Sequence, residues 1–235
     1  MKTSDRPHAA RRSLSGCLIT LEGGEGGGKT TQAQLLYKWL QDAQVPVTAL
    51  REPGATRLGE KLRELLLDFQ MEELRPDTEV LLFAAARAQA FTDVVAPALA
   101  RGDVVVCDRF VDSSIAYQGF GLGVDRCFIG AVNDRITDGV KPDLTILLDA
   151  PASFARARSC RASVSADRIE RRSDAYHEAV RQGYRALAAE EPERFKVLDA
   201  TRGLEEVRDE IRVAVAATLT RRGYLRRPGP GSVGR

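Results

Sequence analysis

Five short apolar runs punctuate the chain: Cys17–Leu21, Val47–Leu50, Val104–Cys107, Leu144–Leu148 and Phe195–Leu198. Each is bounded by turn-forming or charged residues, the pattern of a strand covered on both faces. Between them run longer stretches with helical periodicity: Thr30–Ala43, Leu58–Leu67, Thr78–Arg101, Arg126–Asp138, Arg168–Glu190 and Leu204–Thr220. This alternation predicts an α/β fold, a five-stranded parallel sheet with helices on both faces. No internal repeat or linker divides it. The expected organisation is one domain over residues 17–220, with a disordered basic extension at 1–16 and a disordered basic tail at 221–235.

Composition changes this picture little: 43% hydrophobic and 29% charged residues are ordinary for a globular chain. No apolar run approaches the roughly 20 residues that span a bilayer, and the basic N-terminus lacks the apolar segment of a secretory signal. Charge is more informative. The net value is +2, but the two tails carry +3 and +5, which leaves −6 over residues 17–220. The basic balance therefore belongs to the ends and does not imply a nucleic-acid-binding face. The four cysteines form no C-x-x-C pair and read as reduced, buried thiols of the cytoplasm. With only His8 and His177, a histidine-rich metal site is excluded.

In parallel sheets, ligands bind beyond the carboxyl ends of the strands. Polar, charged or glycine residues follow all five runs there: Glu22-Gly23, Arg51-Glu52-Pro53-Gly54, Asp108-Arg109, Asp149, and Asp199-Ala200-Thr201. The first is the most specific. Gly23-Gly24-Glu25-Gly26-Gly27-Gly28-Lys29-Thr30, with Thr31 after it, fits G-x-x-x-x-G-K-[ST] between a predicted strand and a predicted helix. Glycines let backbone N–H groups wrap a phosphate chain, and the helix N-terminus adds positive potential. Lys29 is expected to reach the β- and γ-phosphates of ATP, and Thr30 to ligate Mg²⁺. Glu25 is out of place beside a triphosphate. Either it points to solvent or it faces a hydroxyl donor such as a sugar of a second substrate.

Asp108-Arg109 ends the third run as a Walker-B-like pair, with an aspartate for the Mg²⁺ shell. Arg51 and Arg109, at neighbouring strand ends, could fix an acceptor phosphate. Phe83 and Arg87, spaced i, i+4, share a helix face. They could form a nucleobase pocket, although spacing alone favours a core phenylalanine beside a solvated arginine. Arg156, Arg158, Arg161, Arg168, Arg171 and Arg172 cluster around the small, polar Ser159–Ala166 and read as a basic flap near 156–168 that could supply a catalytic arginine.

In this set and order, the chain resembles the bacterial thymidylate kinases, a family of P-loop nucleoside monophosphate kinases, from about Leu18 to Leu219. The matching segments are the P-loop with Glu25, Arg51-Glu52-Pro53-Gly54, Leu82–Arg87, Asp108-Arg109, Ala116–Gly119, Lys141–Thr145, Asp167–Glu170 and Asp199–Thr201. The resemblance implies a P-loop NTPase fold and the transfer of phosphate from ATP to dTMP. By the same token Glu25 contacts the 3′-OH, Arg51 and Arg109 hold the dTMP phosphate, and Phe83 stacks on thymine while Arg87 bonds its carbonyl. Ser114 and Gln118 make polar contacts to the base, and Tyr117 packs on the sugar. With no basic residue but Lys29 in the P-loop, the chain resembles the form whose catalytic arginine sits in the LID, here Arg158 or Arg161. The resemblance also implies a homodimer. Phe110 departs from the Tyr or His often found after Asp-Arg. The alternative is another nucleoside monophosphate or deoxynucleoside kinase; no N-K-x-D sequence supports a GTPase.

Overall fold

The computed structural model describes residues 15–71, 74–154, 157 and 166–225. Five strands form one sheet: β1 (Cys17–Glu22), β2 (Val47–Arg51), β3 (Val104–Asp108), β4 (Leu144–Asp149) and β5 (Phe195–Asp199). The order is β2-β3-β1-β4-β5 and every neighbouring pair is parallel. Each strand runs one residue past its apolar run. The added residues are Glu22, Arg51, Asp108, Asp149 and Asp199, so the sheet ladder itself fixes the polar residues that face the ligand side.

The helices are α1 (Lys29–Asp42), α2 (Arg57–Leu67), α3 (Pro76–Ala90), α4 (Ala96–Arg101), α5 (Val111–Ser114), α6 (Arg126–Ile136), α7 (Asp174–Glu190) and α8 (Leu204–Arg221). One core layer lies between the sheet and α1 and α8, built on Ile19, Leu21, Leu36, Leu40, Ile146, Ile211 and Val215. Two further clusters cover the other face, one around Tyr176, Val180 and Tyr184 of α7 and one around Phe91, Val95 and Leu99.

Three expectations are corrected. The stretch predicted as one helix over Thr78–Arg101 opens into a π-helical segment at Phe91–Val95, between α3 and α4. Pro97 lacks the N–H that an α-helical bond at its position needs, and the wider turn absorbs the break. The predicted helix Arg168–Glu190 begins only at Asp174, where the Ser173 hydroxyl accepts the Tyr176 N–H. Before it, Asp167 Oδ1 accepts the Ile169 and Glu170 N–H groups in a turn. Finally, α5 and the π-helical Ile115–Gly121 that follows it were not expected at all. Ser113, Ser114, Gly119 and Gly121 are weak helix formers, and packing decides the outcome. A Cβ at Gly121 would lie 2.5 Å from Tyr176, so only glycine lets this segment seat on α7.

The packed chain also runs past the boundary expected at 220. Arg222 donates to Gly16 O and pairs with Asp143 at 3.0 Å, and the Tyr224 hydroxyl donates to Gly102 O. Cys17 and Cys107 are buried, but Cys127 is exposed, because it sits in the first turn of α6 on the solvent side. The rest of the two expected tails, and Cys160, lie outside the described residues.

Candidate active site

The P-loop leaves β1 at Gly23, whose φ of 140° and closeness to Leu148 O (2.4 Å from a would-be Cβ) admit no side chain. Gly26 and Gly28 also take positive φ. Lys29 opens α1 and lies buried, with Nζ donating to Gly24 O at 2.6 Å. Burial, reinforced by the charge of Arg109, lowers its pKa to about 8. The Thr30 hydroxyl donates to Asp108 Oδ2 at 2.5 Å, so the hydroxyl and carboxylate expected around a metal meet between the start of α1 and the end of β3.

Arg109 follows β3 in the left-handed region, at φ 73°. Its Nη1 donates to Gly23 O at 3.1 Å, and its Nη2 to Glu25 Oε1 at 2.6 Å and the Tyr117 hydroxyl at 3.0 Å. Its guanidinium also stacks over the Tyr117 ring. Tyr117 OH donates in turn to Glu25 Oε1 at 2.8 Å. Burial alone would raise the Glu25 pKa. Arg109, Lys29 and the Tyr117 hydroxyl overcome it and hold the group at about 2. Glu25 is therefore a carboxylate at any working pH, held against Arg109 while its side chain stays 29% exposed.

Two clefts meet at this arginine. One, with about 560 Å³ of open space, is lined by Glu25, Gly26, Gly28, Lys29, Thr30, Thr31, Arg51 and Asp108. The other, about 580 Å³, is lined by Pro53, Leu67, Phe83, Arg87, Ser114, Tyr117, Gln118 and Ile169. Glu25, Glu52, Arg63 and Arg109 border both. The first has the glycines, lysine and helix N-terminus of a polyphosphate site. The second is mostly apolar with a few convergent polar groups, the lining typical of a site for a small organic ligand.

Arg87 is buried rather than solvated, which overturns the reading favoured by its spacing. Nε donates to Glu52 at 2.7 Å, Nη1 to Ser114 Oγ and Asn133 Oδ1, and Nη2 to Phe110 O. Burial raises the pKa of Glu52 against the pull of Arg87. Arg51 lines the first cleft with its side chain 44% exposed and bonded to Glu60 at 3.3 Å. Pro53 follows a cis Glu52–Pro53 bond. Phe83 is half-buried at the wall of the second cleft.

The family model for thymidylate kinase matches residues 21–211. The chain belongs to the thymidylate kinase family. It is 46% identical to the thymidylate kinase of Geotalea uraniireducens over 87% of this chain and 98% of that protein. To that of Pelotomaculum thermopropionicum it is 47% identical, over 88% and 95%. A crystal structure of thymidylate kinase from Ehrlichia chaffeensis superposes with a TM-score of 0.69 at 34% identity, covering 85% of this chain and 98% of that one.

The expected residues of the thymidylate kinase reading thus converge: the P-loop, Asp108, Arg109, Phe83, Arg87, Ser114, Tyr117 and Gln118 border two adjoining clefts. Arg158 and Arg161 lie outside the described residues. Arg63 was missed. It extends from α2 to both clefts and donates to Pro53 O, and burial together with Arg51 lowers its pKa. No motif marks it; its signal would have been a helix following the Arg51 strand end. Glu79 was missed as well. It is fully buried and accepts from Gln118, Arg168 and Arg172.

Proposed function

We propose that this chain transfers the γ-phosphate of ATP to dTMP, giving ADP and dTDP, at the junction of the two clefts. The observation that carries this reading is Arg109. It touches the P-loop carbonyl Gly23 O on one side, and Glu25 and Tyr117 at the second cleft on the other.

ATP lies along Gly23–Thr31, its phosphates wrapped by backbone N–H groups and met by Lys29. Mg²⁺ fits the donor set, since it takes one or two carboxylates plus substrate phosphates rather than a protein cage. Thr30 and Asp108 supply such hard oxygens 2.5 Å apart, and among the described residues no cluster of three or more His, Cys, Asp or Glu could form a cage. When bound, the ion neutralises charge on the transferring phosphoryl group. The acceptor phosphate is held by Arg109, Arg51 and Arg63. Glu25, a fixed acceptor, takes the 3′-OH hydrogen bond, and Tyr117 packs on the sugar. Phe83 stacks on thymine, while Arg87, Ser114 and Gln118 address its polar edge.

No strong general base is required, because a phosphomonoester with a second pKa of about 6 is already largely a dianionic nucleophile. The protein supplies orientation and charge neutralisation, with Arg158 or Arg161 as the arginine brought to the phosphoryl group. A coupled ADP-release assay over a panel of nucleoside monophosphates tests the assignment. Turnover of dTMP well above AMP, GMP and dCMP supports it, and equal use of all four overturns it.

We also place the enzyme in the cytoplasm, which suits the free thiols of Cys17, Cys107 and Cys127, and expect a homodimer. Pro76–Arg101 is long and apolar enough to cross a bilayer by composition. Yet α3 buries Val80, Ala84 and Arg87 against the fold, and its outer side exposes Leu81. Leu81 at 51% exposure, with Phe128 of the neighbouring α6, offers a second copy an apolar face. Sedimentation at micromolar concentration checks this.

A further inference from the structure

We propose that Glu79, which does not line either cleft, is a positioning residue that fixes the hydrogen-bonding polarity of Gln118 and so makes the base pocket select a 4-keto over a 4-amino pyrimidine. The inference rests on the reading above, in which Gln118 faces the base.

A carboxylate can only accept hydrogen bonds, whereas a glutamine side chain has one end that donates and one that accepts. Glu79 sits on α3 at zero exposure, and Gln118 donates Nε2–H to its Oε1 at 2.9 Å. Two arginines saturate the rest: Arg168 Nη2 donates to Oε2 at 2.7 Å, and Arg172 donates to the same oxygen at 2.6 Å. Burial pushes the Glu79 pKa up, but its hydrogen bonds and ion pairs with Arg172, Gln118 and Arg168 bring it below the ordinary value. The group has no proton to offer. If the Gln118 amide flipped, its oxygen would face a buried carboxylate with no hydrogen between them. The flip is therefore closed off: the amide nitrogen stays against Glu79, and the carbonyl oxygen is the acceptor Gln118 keeps for the cleft.

Arg87 contributes the opposite polarity. Of its five N–H donors, four are engaged, by Glu52, Ser114, Asn133 and Phe110 O. One N–H of Nη2 remains. Arg87 and Gln118 line the same cleft, so the pocket offers a donor beside an acceptor. Thymine and uracil present the complement, an accepting O4 and a donating N3–H. Cytosine presents the reverse, a donating N4 amine and an accepting N3. A ring of the wrong polarity leaves two buried mismatches, and sites built to hydrogen-bond a substrate reject analogues on that ground.

The test is the ratio of kcat/KM for dTMP to that for dCMP. Glu79→Gln replaces an acceptor-only group by one that can also donate, which frees the amide of Gln118 to turn. The ratio should fall by about tenfold. A merely structural role for Glu79 would lower both values together and leave the ratio in place. Glu79→Asp keeps the charge for Arg168 and Arg172 while withdrawing from Gln118; it should lower the ratio too, and serves where Glu79→Gln does not fold. Gln118→Met should lower the ratio by itself, and adding either Glu79 change to it should lower it no further. A folded Glu79 variant with the wild-type ratio overturns the proposal while leaving the Gln118 contact intact. An unchanged ratio in Gln118→Met overturns both the proposal and the base contact it rests on.

Discussion

The phosphate side and the base side of this site are built in different ways. On the phosphate side the working parts are backbone N–H groups and a few charges set at the ends of β1, β2 and β3, and Arg51 is still 44% exposed. On the base side Glu52, Glu79, Arg87, Ser114 and Gln118 are all buried, and they are held in two sets of hydrogen bonds, one joining Arg87 to Glu52 and Ser114 and the other joining Gln118 to Glu79. The first region can wait for its ligand's charges to complete it. The second is complete before the ligand arrives, and its side chains belong to the fold as much as to the site. Substitutions on the phosphate side should therefore cost activity, while those on the base side should cost stability as well.

The largest effect is expected for Arg109→Ala. Losing the arginine that bridges the two clefts should reduce kcat/KM for dTMP by about a thousandfold, or roughly 4 kcal/mol. The protein should remain folded, with a far-ultraviolet circular dichroism spectrum like that of the parent. Near-normal turnover would sink the assigned role. Arg87→Ala is the matching experiment across the divide. It strands Glu52 in a buried position, and breaking such a pair costs about 3 kcal/mol. For a domain of this size that is a fall of about 6–12 °C in Tm. If Arg87→Ala melts with the parent and Arg109→Ala does not, the contrast drawn between the two sides is backwards.

The same division explains what could be read in advance. The strands, the sheet direction and the phosphate cradle were legible because each is written locally: apolar runs of fixed length, and eight consecutive residues whose chemistry admits few substitutes. The base side joins Gln118 to Glu79 across 39 positions and Arg172 to Glu79 across 93. No periodicity encodes such pairs. Arg87 was therefore expected to be solvated, and Arg168 and Arg172 were expected to belong to a basic flap, when in fact they turn inward to Glu79. The unforeseen α5 segment has the same origin. Its serines, and the glycines of the π-helical Ile115–Gly121 after it, carry no helical signal, and packing on α7 makes them helical. Resemblance to a family pointed to Phe83 and Arg87 as base-pocket residues where local pattern could not, and both line the second cleft.

Proton linkage should separate the two sides more gently. The pKa of Lys29 is lowered to about 8, and the phosphate contact proposed for it needs the charged form. ATP affinity should fall by up to about tenfold per pH unit above that value, and titration calorimetry between pH 7 and 9.5 would follow it. In Lys29→Met binding should be weak and flat over the same range. Without nucleotide the sign reverses. Between about 8 and the ordinary 10.5 the unfolded chain holds the Lys29 proton and the folded chain does not, so the contribution of Lys29 makes the free protein more stable as pH rises. A parallel loss of affinity in Lys29→Met would assign the pH effect to another group.

The smallest expected effect concerns the methyl group of thymine. In the proposed reading Arg87 and Gln118 address the edge that dTMP and dUMP share, so polar contacts cannot tell the two apart. Discrimination falls to the apolar wall, where Leu67, Phe83 and Ile169 border the cleft. Burying one methyl is worth about 0.8 kcal/mol, which gives roughly a fourfold preference in kcat/KM. Competition between the two substrates in one assay would measure it directly. A preference of many thousandfold cannot come from one methyl. It would require that dUMP fail to close the site, and the base wall would then be a switch rather than the rigid, pre-assembled surface that its buried hydrogen bonds describe.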